Sequence, residues 1–243
     1  MRKLFTDFPI GSGAFELSPD DAHHVLVVLR HTVGDSLAVT DSTGTTYECL
    51  ITGKEGHAAF LTPVRKLSDS LETAGKVILA AGLLKSDKLE WVIQKATELG
   101  VSAVVPVQMA HCVVKLSENR VQSKVQRWQR IAEEAAKQCG RSDIPDVMNP
   151  MALPAVVDQY KNMKFVVPYE QETAPLRRVC QEIQQGDVVI VIGPEGGFAR
   201  TEIDYIKQHV DWCRSVSLGP RILRAETASL AALSIVMYER GFK

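Results

Sequence analysis

Two short runs hold the residue types from which a ligand site is built. Gly193-Pro194-Glu195-Gly196-Gly197 stands directly behind the apolar run Val188 to Ile192. Glycines at the end of a strand free the backbone from Cβ sterics and bring bare N–H and C=O groups within reach of a ligand. Gly219-Pro220-Arg221-Ile222-Leu223-Arg224 stands behind a second, alternating run, Arg214 to Leu218. Gly219, Ile222 and Leu223 add main chain and apolar surface, a mixture that suits an adenine ring better than a triphosphate. A P-loop would need GxxxxGK[ST], which does not occur, and Gly193-x-x-Gly196-Gly197 does not match the GxGxxG of dinucleotide sites. One such loop alone reads as a tight turn. Two on neighbouring strands point to a shared ligand.

The charged residues nearby point to an anionic partner. Arg221, Arg224 and Glu226 cluster at the start of the last helical segment. A helix N-terminus favours negative charge, so arginine there either pairs with Glu226 or Glu195 or meets a phosphate. Residues 120–141 carry Arg120, Lys124, Arg127, Arg130, Lys137 and Arg141 against Glu133 and Glu134, and Lys85, Lys88 and Lys95 form a smaller group. Such runs are either solvated helix faces or phosphate contacts. His23, His24 and His31 have no metal-like partners nearby in sequence, and no metal is expected. The five cysteines are scattered without a CxxC, which fits a reduced compartment and small core hydrophobes.

The elements that would position these groups alternate in type from Lys76 onward. Val77–Ala81, Val101–Val107, Phe165–Val167 and Val188–Ile192 read as buried strands. Helices are expected over 87–99, with Asp87 and Glu90 as a capping box, over 121–140, over Pro175–Gln185, from a Thr201 cap, and over Ala225–Arg240. Strand–helix alternation implies a parallel α/β sheet. Residues 1–72 differ: short β-leaning runs (Ser36–Thr40, Thr46–Thr52, Ala58–Pro63) and one helix capped by Ser18 read as a compact β-barrel. Ser68 to Gly75 reads as a linker, placing domains at 1–72 and 73–243.

Composition narrows the class. The chain has 243 residues, is 45% hydrophobic and 23% charged, and carries a net charge of −1. Residues 1–72 hold 6 Lys+Arg and 10 Asp+Glu, leaving 28 − 6 = 22 against 29 − 10 = 19 beyond them. Nucleic acid binding must therefore rest on local patches rather than bulk charge. No apolar run approaches the ~20 residues of a membrane helix, and Asp7 and Pro9 interrupt any signal core, so a cytoplasmic protein with no membrane role is expected.

Leu89-Glu90-Trp91-Val92-Ile93-Gln94-Lys95-Ala96-Thr97-Glu98-Leu99-Gly100 resembles a signature of the RsmE family. So do Ile192 to Phe198, Leu218 to Ala228, Gln138-Cys139-Gly140-Arg141, and His24 through Arg30 with Gly34-Asp35. Members methylate N3 of a uridine in bacterial small-subunit (16S) ribosomal RNA with S-adenosylmethionine. The resemblance implies a SPOUT-type sheet with a C-terminal trefoil knot, a PUA-like barrel before it, and a homodimer packed through the knot. It implies a cofactor held at Pro168, at Ile192, Gly193, Gly196 and Gly197, and at Leu218, Gly219, Ile222 and Leu223. RNA contacts are expected at Arg30, Lys88, Lys95, Lys124, Arg127, Arg130, Arg141 and Arg221, on RNA in an assembled or nearly assembled subunit. Uridine N3–H is a weak acid, so its proton must leave before or during attack. Arg224 is the candidate stabiliser of the developing anion and Glu195 the candidate base. The alternatives are a SPOUT methyltransferase acting on another RNA, such as tRNA, and a non-catalytic RNA-binding assembly protein.

Overall fold

The computed structural model describes residues 3–67, 75–85 and 87–241 of the chain. These divide into two compact units: residues up to 71 together with Ala136–Asp143, and residues 72–135 together with 144–243. The expected linker, apart from Gly75, and the expected 72/73 boundary lie outside the described residues.

In the first unit, β1 (Lys3–Phe5), β3 (Ser36–Thr40), β4 (Thr46–Glu55), β5 (Ala58–Leu67) and β2 (Phe15–Glu16) form a sheet in the order β1-β3-β4-β5-β2. β1 runs parallel to β3 and the other pairings are antiparallel. The ladder has two edges, so the expected barrel is not closed by backbone pairing among the described residues. Bulges between Glu48 and Cys49 and between Ile51 and Gly53 bend β4. The inward faces bury Leu37, Val39, Cys49, Ile51 and Leu61. The loop after β3 is organised by Asp41, whose carboxylate accepts from Ile10 N at 3.1 Å, Thr43 N at 2.9 Å, Thr43 Oγ1 at 2.6 Å and Thr45 N at 3.1 Å.

Helix α1 (Pro19–His23) starts as expected, with Ser18 Oγ accepting from Asp21 N at 3.2 Å and Pro19 in the first turn. It does not continue to Leu29 as an α-helix. A single π-helical turn takes over at His24–Val28, and Arg30 follows with φ 59°, a left-handed value that non-glycine residues adopt at a cost.

The second unit holds a seven-stranded, all-parallel sheet in the order β12-β10-β11-β6-β7-β8, with β9 also on β7. Its strands are β6 (Val77–Gly82), β7 (Ala103–Gln108), β8 (Asp146–Val147), β9 (Met151–Ala152), β10 (Lys164–Pro168), β11 (Val188–Ile192) and β12 (Trp212–Val216). Every residue of β6 and β11 is buried, as continuous apolar runs in a sheet covered on both faces require. The helices are α2 (Lys88–Glu98), α3 (Glu118–Cys139), α4 (Leu153–Tyr160), α5 (Leu176–Cys180), α6 (Arg200–His209) and α7 (Ala225–Glu239).

Three expectations are corrected here. Asp87 precedes α2 but makes no side-chain cap, because its backbone, φ −88° and ψ 1°, is not the extended form from which an N-cap side chain reaches the first turn, and Glu90 pairs with Arg127 and Lys124 rather than reaching back. α6 begins at Arg200, not from a Thr201 cap: Glu202 reaches back to Ala199 N at 2.9 Å, while Asp204 does not. The helix expected over 175–185 ends at Cys180, and the carbonyls of Ile183 and Gly186 accept from Arg240 instead of continuing the helix.

Candidate active site

Three parallel strands, β10, β11 and β12, end on the same side of the sheet, and the loops that leave them enclose a cavity of about 500 Å³. Crevices beyond the carboxyl ends of parallel strands are where α/β sheets bind ligands. Pro168 lines the cavity from the first loop, Ile192, Gly193, Gly196 and Gly197 from the second, and Leu218, Gly219, Ile222 and Leu223 from the third. Glu195 and Arg224 also line it, as do Lys88 and Arg221. Tyr169, Glu170 and Phe198 complete the wall and went unnoticed in the sequence. Their signal was positional: Tyr169 and Glu170 directly follow a strand, as the glycines do. The rings of Tyr169 and Phe198 meet edge to face at 6.3 Å and join the first two loops.

The loop after β11 is held from three sides. Pro194 lies across Gly82 at the end of β6, where a Cβ would stand 2.6 Å from Pro194 N. His111 Nδ1 lies 3.0 Å from the carbonyl oxygen of Gly196, and a Cβ on Gly196 would come within 2.8 Å of His111 Cβ. Packing against His111 is thus enough to require a glycine at 196. Glu202 Oε1 accepts from Ala110 N at 2.8 Å and ties the same two segments together.

Glu195 Oε1 accepts from Lys85 N at 3.1 Å and stands 3.7 Å from Lys88 Nζ. Burial pushes its carboxyl upward, but the Lys85 and Glu195 backbone N–H groups and the charges of Lys88 and Lys85 together hold it below the ordinary carboxylate value. Lys88 Nζ also lies 3.2 Å from Glu226 in the first turn of α7. One ammonium thus links the loop after β11 to the helix that follows the third loop.

The third loop is looser. Gly219 adopts φ +122° with no heavy atom within 4 Å of where a Cβ would stand. Ser217 Oγ accepts from Gly219 N at 3.2 Å and shapes the turn. Ile222 lines the cavity yet is 88% exposed, so its side chain faces mainly solvent. Arg221 and Arg224 are exposed and make no ion pair among the described residues. Glu195 and Glu226 pair with Lys88 rather than with Arg224, which leaves the alternative of an anionic partner for it.

The expected phosphate contacts divide. Lys95 pairs with Glu98 at 2.7 Å, Arg127 with Glu90 at 2.8 Å, Lys124 with Glu90 at 3.7 Å, and Arg141 with Asp143 at 2.6 Å. Arg30 and Arg130 are exposed without an ion pair among the described residues. No cluster of three or more metal-ligating side chains occurs among the described residues, and no helix there is long and apolar enough to cross a membrane.

The family model of the RNA methyltransferase domain matches residues 71–237. The ribosomal RNA small subunit methyltransferase E of Bacillus subtilis is 34% identical over 232 residues, covering 93% of this chain and 90% of that protein. A methyltransferase of Legionella pneumophila, solved with its cofactor SAM, is 31% identical with a TM-score of 0.85, covering 97% of this chain and 96% of that one. The ribosomal RNA small subunit methyltransferase E of Neisseria gonorrhoeae, bound to S-adenosylmethionine, is 27% identical with the same TM-score of 0.85 and the same coverage of 97% and 96%. A cavity built at the ends of the strands and likeness that extends through both units lead to one conclusion: the chain belongs to the RNA methyltransferase family, among the S-adenosylmethionine-dependent enzymes grouped as small-subunit ribosomal RNA methyltransferases E.

Proposed function

We propose that this chain methylates N3 of a uridine in the small-subunit ribosomal RNA. The observation that carries the reading is the convergence of two glycine-led loops on one cavity with two unpaired arginines at its mouth. About 500 Å³ lies within the range of ~300–1,000 Å³ typical of small-molecule sites. The open space at Gly219 and the main-chain groups of residues 192–197 and 218–223 fit an adenosine moiety. S-adenosylmethionine would supply an activated methyl group on a sulfonium.

The chain's own contribution is position and charge. The loops hold the donor's nucleoside and orient its methyl group towards the mouth, so proximity supplies much of the acceleration. Arg224 stands where the acceptor base would enter, and its guanidinium stabilises the negative charge that develops on uracil as the N3 proton leaves. Glu195 is stabilised as an anion by Lys85 N–H and Lys88, which makes it a poor proton acceptor. It is better read as a brace of its loop than as a base.

Arg221, Arg30 and Arg130 are the free candidates for phosphate contact. Lys95, Lys124, Arg127 and Arg141 would reach RNA by exchanging a carboxylate for a phosphate, an exchange that costs more where a partner is largely buried, as Glu90 and Arg141 are. Lys88 belongs to the loop clamp instead. The segment after β12 bonds along residues 169–176, with Ser217 N donating to Ala174 O at 2.7 Å and Leu176 N to Ser217 O at 3.2 Å. That close pairing of the two loops is what a SPOUT knot would need, and the five-stranded unit is read as PUA-like. α7 is apolar around its circumference, yet Ile235 is 39% and Tyr238 76% exposed, with Trp91 of α2 at 46%. These residues support a homodimer through α7. The site of action would be the bacterial cytoplasm, where the RNA is assembled.

The test is single-turnover methylation with saturating RNA, read by mass spectrometry of nucleoside digests. N3-methyluridine must appear with the wild-type protein, and its absence sinks the substrate reading. Arg224→Lys is expected to bind S-adenosylmethionine while slowing transfer by about 10²-fold. Wild-type turnover in that variant would remove Arg224 from catalysis.

A further inference from the structure

We infer that Ile222 is a substrate-positioning residue, an apolar wedge that fills the gap in the RNA stack when the target uridine leaves it. The inference rests on the uridine-N3 reading above and adds how the base reaches the site. A single exposed isoleucine is ordinary on a protein surface. This one is 88% exposed on the rim of the catalytic cavity, with Arg221 immediately before it and Arg224 two residues after it. Both arginines are exposed and unpaired among the described residues. An exposed apolar side chain flanked along the chain by two exposed arginines suits the surface of a nucleic acid strand, where phosphates flank a hydrophobic base step.

The chemistry requires such a device. N3 lies on the edge that uracil presents to a pairing partner, and the proton to be removed is the one it donates there. The methyl donor would sit inside a cavity at the ends of the sheet strands, so the base must turn out of its stack and enter edge first. The vacated step is unstable, and proteins that open such steps insert Ile, Leu, Met, Phe or Pro into them. Ile222 is the side chain at the mouth of the cavity with the shape and exposure for that insertion. Gly219, at φ +122° and without close neighbours, gives the loop freedom to follow the strand.

The experiment compares two RNAs with the same sequence around the target uridine: a folded stem-loop fragment and a short linear strand. Single-turnover rates are measured for the wild type, Ile222→Ala and Ile222→Leu. The ratio of the folded-RNA rate to the linear-RNA rate is expected to fall about tenfold or more in Ile222→Ala and to recover in Ile222→Leu. A 2-aminopurine placed beside the uridine should brighten with wild-type protein and stay quenched with Ile222→Ala. An unchanged ratio overturns the wedge. So does a loss of S-adenosylmethionine affinity by calorimetry, which would make Ile222 a cofactor contact, or a smaller sedimenting species, which would make it an interface between protomers. If the wild type forms no N3-methyluridine on either RNA, the substrate reading has failed. If it forms the product and the ratio is the same in Ile222→Ala, only the wedge has failed.

Discussion

The two glycine loops of the cavity differ in how tightly they are held. The loop after β11 is pinned by Pro194 against Gly82, by His111 against Gly196, and by Glu195 against Lys85 N. The loop after β12 is anchored at Ser217, which bonds Gly219, Ala174 and Leu176, but beyond it has a glycine with open space around it and Arg221, Ile222 and Arg224 exposed. Glycine therefore serves opposite ends in the two places. In the first it permits close packing and a fixed shape, which spares a small ligand the cost of ordering its site. In the second it permits movement, which suits a large partner whose shape must be followed.

The largest effect should come from loosening the fixed loop. Gly82→Val places branched bulk against Pro194 N, where even a Cβ would stand at 2.6 Å. The strain is expected to lower stability by about 1–3 kcal/mol and to weaken S-adenosylmethionine binding by about 100-fold, read by thermal unfolding and calorimetry. Undiminished binding in a folded variant would break the comparison, since the first loop would then owe nothing to its packing.

A smaller effect is expected at the clamp between the loops. Lys88→Met removes the shared cation of Glu195 and Glu226. Cofactor affinity should fall by about tenfold, which corresponds to ~1.4 kcal/mol, and Lys88→Arg should recover part of it. Loss of RNA affinity alone would instead return Lys88 to the phosphate contacts.

The smallest effect is in acid. The Glu195 carboxyl is held below its ordinary value of 4.5, against the upward push of burial, by backbone N–H groups and nearby lysines. A carboxyl with a lowered folded value contributes its full stabilisation above the ordinary value and loses it as pH falls through the lowered one. Cofactor affinity should be level through neutral and mildly acidic pH and weaken, by less than about tenfold, only below 4.5. Glu195→Gln should flatten that acid limb, and a limb that persists would assign it to another group.

Local patterns were legible in the sequence and distant partners were not. Val188–Ile192 was read to the residue because five buried apolar positions leave a strand no second option. All nine expected cofactor residues line the cavity: Gly193, Gly196, Gly197, Gly219, Ile222 and Leu223 were local signals in the two loops, while Pro168, Ile192 and Leu218 came only with the family resemblance. Thr201 failed as a cap because the carboxylate that organises the start of α6 is Glu202, whose other partner, Ala110 N, lies 92 positions away. The basic residues of α3 looked free because Glu90, the partner of Lys124 and Arg127, belongs to another helix. Gly82 carried no visible signal at all, because the proline that explains it follows a different strand. Helix α4 was missed although Leu153, Val156, Val157 and Tyr160 recur at i, i+3, i+4 and i+7, because Pro150 and Pro154 punctuate the segment like a loop.

The pairing of β6 with β11 has a consequence during synthesis. Val77 registers with Val188, so 188 − 77 = 111 residues must be added before the centre of the sheet can close. At the usual pace of translation, roughly 5–20 residues per second, β6 waits on the order of 10 seconds for its neighbour. The wall formed by residues 218–224 emerges later still. A nascent chain of this enzyme therefore has no methyl-donor pocket until nearly all of it has been made, and cannot modify RNA while it is still being translated.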